Sequence, residues 1–244
     1  MHWTDYISPL MEGAWVTIQL TFYSTVLGAV LAFAAGKVVQ VVQVADGKDV
    51  RRLEHPSTVG GLAFEGKGRR LAAAHYGGVS LWWAAVPDRP PQVLSWKGSH
   101  LGVVWSPDSR FLVTAMQESA LHGWRLEDGA DMRMAGYPSK IKSLSWMAGG
   151  RLLATSGADQ VIAWPFTGKQ GPMGKAPEQL GWTDGRLVTQ VAAHPKGEVV
   201  AFAIADGDIH LAQRGRAQDA VVRRGAASEV TALTWTPDGR RLAF

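Results

Sequence analysis

From Lys37 onward, short apolar runs alternate with polar turns on a nearly fixed period. The runs VGGLAF (59–64), HLGVVW (100–105), IKSLSW (141–146), VTQVAA (188–193) and VTALTW (230–235) end 41, 41, 47 and 42 residues apart. A turn follows each of them: EGKG, SPDS, MAGG, HPKG and TPDG. A second run comes next (RRLAAA, RFLVTA, RLLATS, EVVAFA, RRLAF), then another polar turn and a third run (GVSLWW, ALHGW, QVIAW, DIHLA). Short apolar, β-rich runs bounded by Gly, Pro and Asp predict strands. A sheet of four short strands cannot cover its own faces, but sheets stacked around an axis bury one another. A repeat of about 40–45 residues is the signature of propeller blades. The pattern therefore predicts an all-β, partial propeller over residues 37–244. It has four full blades, at about 55–97, 98–137, 138–184 and 185–227. Two half blades flank them: residues 37–54 supply the last two strands of one, and residues 228–244 the first two of another. Joining the halves would make a fifth blade and close the ring. An open arc would leave unpaired strand edges.

Residues 1–36 follow a different logic. From Gly13 to Gly36 the sequence GAWVTIQLTFYSTVLGAVLAFAAG carries no charge. That length suffices for a helix to cross a hydrocarbon core of about 30 Å, so a hydrophobic, transmembrane helix is predicted, with membrane contact through residues 13–36. Gln19 and several Ser and Thr suit packing against other helices. Lys37, Arg51 and Arg52 follow the span, and only Asp5 and Glu12 precede it. By the positive-inside tendency, residues 37–244 would face the cytoplasm from an inner-membrane anchor, or be cytoplasmic if the helix does not insert. A secretory signal is the competing reading. Ala32-Phe33-Ala34 offers an A-x-A site, but no positive charge precedes the apolar run. The tract AFAAG (32–36) suits either the end of a helix or a short strand before KVVQV.

Composition narrows the chemistry. The 244 residues include no Cys, which excludes disulfides, thiolate metal sites and Cys nucleophiles. There is no Asn either, so 28 Gly must supply most of the turns. The net charge is +4, and all 25 Lys and Arg lie after Gly36 beside 19 of the 21 acids. The basic residues are scattered among the acids, without a dense stripe interleaved with aromatics, so nucleic acid is not an expected partner.

Two resemblances add to this reading. WSPDSRFLVTA and WTPDGRRLAF resemble the inner-strand turn of WD40 repeats, and Trp82 or Trp83, Trp124 and Trp164 stand where that family places its blade Trp. VVQVADGKDVRRLEHPSTV resembles the passage from one WD40 blade to the next, with Asp46 at the Asp position and His55 at the usual loop His. The chain departs from the family in that no blade Trp is followed by Asp. The loop His occurs once, and Trp96, Tyr137, Asp184 and Ala226 occupy its equivalent places. The resemblance implies a His–Asp–Ser/Thr–Trp network in each blade, so these departures predict blades less rigidly locked than the family's. The second resemblance lies at the start: WTDYISPLMEGAWVTIQLTFYSTVLGAVLAF resembles the first helix of polar-amino-acid ABC transporter permeases of the ectoine/hydroxyectoine type, over residues 3–36. The further helices and coupling loop of such permeases do not follow. The two patterns together predict a chimeric or fragmentary chain, joined near 32–37.

Candidate chemistry is sparse. The seven His residues show no metal-ligand spacing, and neither HExxH nor paired carboxylates at a helical interval occur. GKQGPMGKA (168–176) lacks the glycine spacing and the Ser/Thr of a phosphate loop, and reads as a long connection within its blade. No G-x-S-x-G is present. No catalytic residue, metal or cofactor is expected, and the chain reads as non-enzymatic. The WD40 resemblance implies that two sets of loops share one face: the d–a loops between blades and the b–c loops within them. They hold His55, His75, Tyr76, Trp96, His100, Gln117, Glu118, Tyr137, Asp159 and Asp206, a candidate face for a protein or peptide partner. Trp82, Trp124 and Trp164 are expected to be structural. The competing role for Tyr76 and Trp96 is packing between blades. The leading expectation is a WD40-repeat scaffold. The alternative is a truncated permease component of an amino-acid or ectoine ABC transporter.

Overall fold

The computed structural model, which describes residues 30–84, 86, 88–225 and 228–244, is built from strands and tight turns, with one 3-10 turn at Ala148–Gly150. The chain divides into two compact units, residues 1–103 and 104–244.

In the first unit, the AFAAG tract takes the strand alternative. β1 (Val30–Ala35), β2 (Val38–Gln43) and β3 (Asp49–Glu54) form an antiparallel sheet in that order. Its first hairpin runs from Val30↔Gln43 to Ala35↔Val38. The alternation of side chains explains the choice. Ala32 and Ala34 turn inward with Val39 and Val41, against Leu62, Phe64 and Leu71. This sheet therefore has three strands where the sequence pattern predicted two. The rest of the expected N-terminal helix, residues 1–29, lies outside the described residues. Among the described residues no helix is long and apolar enough to cross a membrane.

β4 (Val59–Phe64) pairs with the first half of β5 (Arg70–Trp83), whose second half pairs with β6 (Gln92–Trp105). The Ala84 N–H donates to Arg69 O at 2.9 Å, so β5 folds back on itself and supplies two strands of one blade. The fold-back needs Gly78. Its φ is +141°, and a Cβ there would stand 2.0 Å from Leu94 O. β6 runs into the start of the next repeat.

The second unit repeats the motif. β7 (Phe111–Met116), β8 (Leu121–Arg125) and β9 (Asp131–Met134) pair in sequence. β10 (Leu144–Met147), β11 (Leu152–Thr155), β12 (Val161–Pro165) and β13 (Glu178–Leu180) form one four-stranded sheet. β14 (Val188–Ala193), β15 (Val199–Ile204), β16 (Ile209–Gln213) and β17 (Ala220–Arg223) form another. β18 (Thr234–Trp235) and β19 (Leu242–Ala243) make a final hairpin. The second strands β7, β11 and β15 are buried along most or all of their length. Every residue of β7 and of β11 is inaccessible, as expected for a strand covered on both faces. Leu153 and Phe166 join the layer of Phe111, Val113 and Met134, while Leu152 and Ala154 join that of Val191, Val200 and Phe202. Within the second unit each sheet thus covers the next. Burying one Leu or Phe in such a layer contributes about 1.5–3 kcal/mol.

Candidate interaction face

Trp82 and Trp164 are each locked from the loop that precedes their blade. In the first unit the Trp82 indole N–H donates to His55 Nε2 at 3.0 Å, and the two rings meet edge to face at 5.7 Å. Nε2 must then carry a lone pair, so the imidazole is neutral with its proton on Nδ1. His55 is 5 % exposed, and its ring centroid is 5.9 Å from that of His75. Burial, with His75 beside it, pushes the His55 pKa down to about 4. His75 is engaged at both nitrogens, Nε2 with Ser80 Oγ at 2.9 Å and Nδ1 with Tyr76 O at 2.8 Å.

In the second unit a tyrosine does the work of the loop His. Trp164 Nε1–H donates to the Tyr137 hydroxyl at 2.7 Å. That hydroxyl lies 2.6 Å from Thr155 Oγ1, which reaches Ile162 O at 3.0 Å. The carbonyl can only accept, so the protons run one way: indole to phenol, phenol to threonine, threonine to carbonyl. Burial pushes the Tyr137 pKa up to about 12. In this blade the missing loop His is replaced by Tyr137, and a lock remains. Thr114 in β7 makes the same outward bond, to His122 O at 3.0 Å.

The blade that follows has no Trp, and Ala212 stands in its place. Register puts Phe202 where Thr155 sits in the preceding blade. Phe202 is fully buried and stacks on His210 at 5.4 Å. Aromatic packing replaces the hydrogen-bonded chain, and the loop before this blade is left out of the lock.

The ten candidate face residues divide by environment. His55, His75 and His100 are buried, and His100 Nε2 lies 3.1 Å from Trp96 O. Trp96 and Tyr137 are half-buried. Tyr76 is 57 % exposed, its backbone N–H held by Ser57 Oγ at 2.9 Å. Gln117, Glu118, Asp159 and Asp206 are exposed. Asp206 pairs with Arg186, which also reaches the buried Asp208 at 3.3 Å. The Gly225 N–H and the Arg186 guanidinium hold the Asp208 carboxyl below its usual range. Trp124 is 2 % exposed, and Trp82 and Trp164 are half-buried.

The innermost strands of the second unit are stitched by side chains. Ser143 Oγ donates to Val191 O and accepts from Val191 N–H, both at 3.0 Å. Ser145 Oγ accepts from Ala193 N–H at 2.9 Å, and Trp235 Nε1–H donates to Ala192 O at 3.0 Å. A cavity of about 320 Å³ opens beside them, lined by Ser143, Ser145, Pro195, Trp235 and Pro237 among others. No group of three or more potential metal ligands is found among the described residues.

Sequence reasoning missed Trp182. It is 66 % exposed, on the loop between β13 and β14. The available signal was WTDG (182–185), a Trp beside the place of the absent loop His.

No protein-family profile matches the chain. Its fold matches solved WD40 structures. A chain of the mitotic checkpoint complex aligns with a TM-score of 0.72 and 17 % identity, covering 87 % of this chain and 69 % of that one. The WD40 repeats of RRP9 align with a TM-score of 0.65 and 18 % identity, covering 86 % and 68 %. The chain thus has the WD40-type propeller fold. Separately, 36 residues are 61 % identical to a probable amino-acid ABC transporter permease of Sinorhizobium fredii, which is 15 % of this chain and 15 % of the permease.

Proposed function

We propose that the chain is a non-enzymatic WD40-type scaffold that binds a protein or peptide partner through its d–a and b–c loops. The observation that carries this reading is the division of labour in those loops. His55 and Tyr137 are spent on locking blade tryptophans. Tyr76, Gln117, Glu118, Asp159 and Asp206 are left exposed on the connections between the second and third strands of their blades. Polar and aromatic groups on rigid supports bind at low ordering cost. The fold likeness agrees with this reading. The test is affinity capture with the full chain and with Tyr76→Ser and Gln117→Ala/Glu118→Ala variants. A partner retained by the wild type and lost by a folded loop variant supports the proposal. Equal capture by wild type and every loop variant refutes it.

A second reading rests on the permease match. The N-terminal residues would anchor the chain at the inner membrane with the propeller on the cytoplasmic side, or the chain would stay cytoplasmic. Membrane fractionation with and without residues 1–29 distinguishes the two. Ectoine uptake in a permease-deficient cell tests transport, and none is expected.

A further inference from the structure

We infer that Trp182, with Asp184 and Asp219, forms a docking point for a cationic side chain, an arginine or lysine of the partner peptide. The inference rests on the scaffold reading and names the chemistry one of its loops selects. At 66 % exposure Trp182 is the most exposed of the large hydrophobic residues described. It is nevertheless fixed twice: its backbone N–H donates to Asp219 Oδ2 at 2.8 Å, and its indole N–H to Asp184 Oδ1 at 2.7 Å. A presented indole with little freedom to lose is what a binding anchor requires.

The charge at this point selects the partner. Asp184 and Asp219 form no ion pair among the described residues. The nearby Arg186 is occupied by Asp206 and Asp208. An aromatic face beside two unneutralised carboxylates favours a cation by two routes, the ring quadrupole and the Coulomb attraction. The chain as a whole carries +4, so general electrostatics disfavours cationic ligands and any capture must be local.

The fold explains why this loop is free. In two of the preceding blades, the equivalent loop residues His55 and Tyr137 bind a blade Trp. Here Ala212 replaces that Trp and Phe202 fills the space, so Asp184 has no blade partner to lock. It adopts φ +52°, unusual for a residue with a side chain, and turns its carboxylate to the indole edge.

The probe is an acetylated Gly-Gly-Arg-Gly-Gly peptide added to the full chain, with Gly-Gly-Glu-Gly-Gly as control. The readout is the indole N–H resonance of Trp182, assigned by its loss in Trp182→Phe. The arginine peptide should shift it saturably and the glutamate peptide should not. Asp184→Asn keeps an acceptor for the indole and tolerates the left-handed backbone. Combined with Asp219→Asn it should weaken arginine binding roughly five-fold while leaving the other ten indole resonances in place. No shift with the arginine peptide, or equal shifts with both peptides, overturns the inference. A Trp182→Ala chain that captures the partner undiminished would overturn it while leaving the scaffold standing. Capture of no partner, with the arginine response intact, would sink the scaffold alone.

Discussion

The indole nitrogen of Trp164 lies 2.7 Å from the phenol oxygen of Tyr137, twenty-seven residues earlier in the chain. Trp82 and His55 make the corresponding contact across the same interval of 27 residues. Two chemically different side chains thus do one job: each places an acceptor from a loop over a blade indole. Tyrosine adds something histidine does not, because its hydroxyl donates onward to Thr155 while accepting from Trp164. Removing that hydroxyl should orphan a part-buried indole N–H and end the relay. Tyr137→Phe is expected to cost about 1–3 kcal/mol in urea unfolding. Thr155→Val in the same background should cost much less than it does alone, since the relay is already cut. The buried phenol should ionise only near pH 12, visible as a late phenolate step in ultraviolet titration.

The His55 lock makes stability depend on pH with a defined sign. In the unfolded chain His55 titrates near 6.5, and in the folded blade near 4. Above pH 6.5 both states are neutral and the lock contributes fully. As pH falls from 6.5 toward 4, the unfolded state takes up the proton first, and stability falls. Below about 4 both states are protonated and the loss levels off. His55→Gln keeps an amide oxygen for Trp82 but does not titrate. Its stability should decline less than that of the wild type between pH 6.5 and 4 in paired urea titrations. Parallel curves would show that the imidazole does not titrate through the lock.

Much of this architecture was legible in the sequence, because its determinants are local. The run at 188–193 is β14 as read, and the run at 59–64 is β4, since alternation and turn residues fix both. The inner strands that carry 141–146 and 230–235 are shorter than their apolar runs, starting at Leu144 and Thr234. Ile141 is buried outside a strand, and Ser143 spends its hydroxyl on Val191. Such bonds between blades leave no trace in a local pattern. The AFAAG tract was ambiguous because a short apolar run has no period, and only its pairing with β2 decides it. The Tyr137 lock was readable from the repeated 27-residue interval, but a search for His at that place passes over a Tyr. Trp182 stayed hidden because the sequence gives no exposure.

Those bonds between inner strands carry their own expectation. Ser143 satisfies both backbone groups of Val191, and Ser145 satisfies the Ala193 N–H. Ser143→Ala should therefore leave a donor and an acceptor without partners at a part-buried seam, for about 1–2 kcal/mol. The more selective readout is amide hydrogen exchange. The Val191 amide should lose protection in Ser143→Ala while the Ala193 amide keeps it, and Ser145→Ala should show the reverse. Loss of protection at both amides in either variant would mean that the strands separate as one unit.

Gly181 tests whether aromatic packing truly replaces the lock in the blade without a Trp. Its φ is +75°, and a Cβ built there would lie 2.6 Å from Phe202 Cζ. The Phe202 ring cannot retreat, because it is fully buried and stacked on His210 at 5.4 Å. Gly181→Ala therefore combines a left-handed backbone with a collision against a fixed ring, and should destabilise by about 2–4 kcal/mol in urea unfolding. The two contributions separate in a double variant. Phe202→Leu shortens the ring side chain and removes the collision, but leaves the backbone strain. Gly181→Ala should then cost only about 1–2 kcal/mol in the Phe202→Leu background, the part belonging to φ. If the full cost persists there, the glycine is needed for its backbone alone, and Phe202 fills the blade without depending on it.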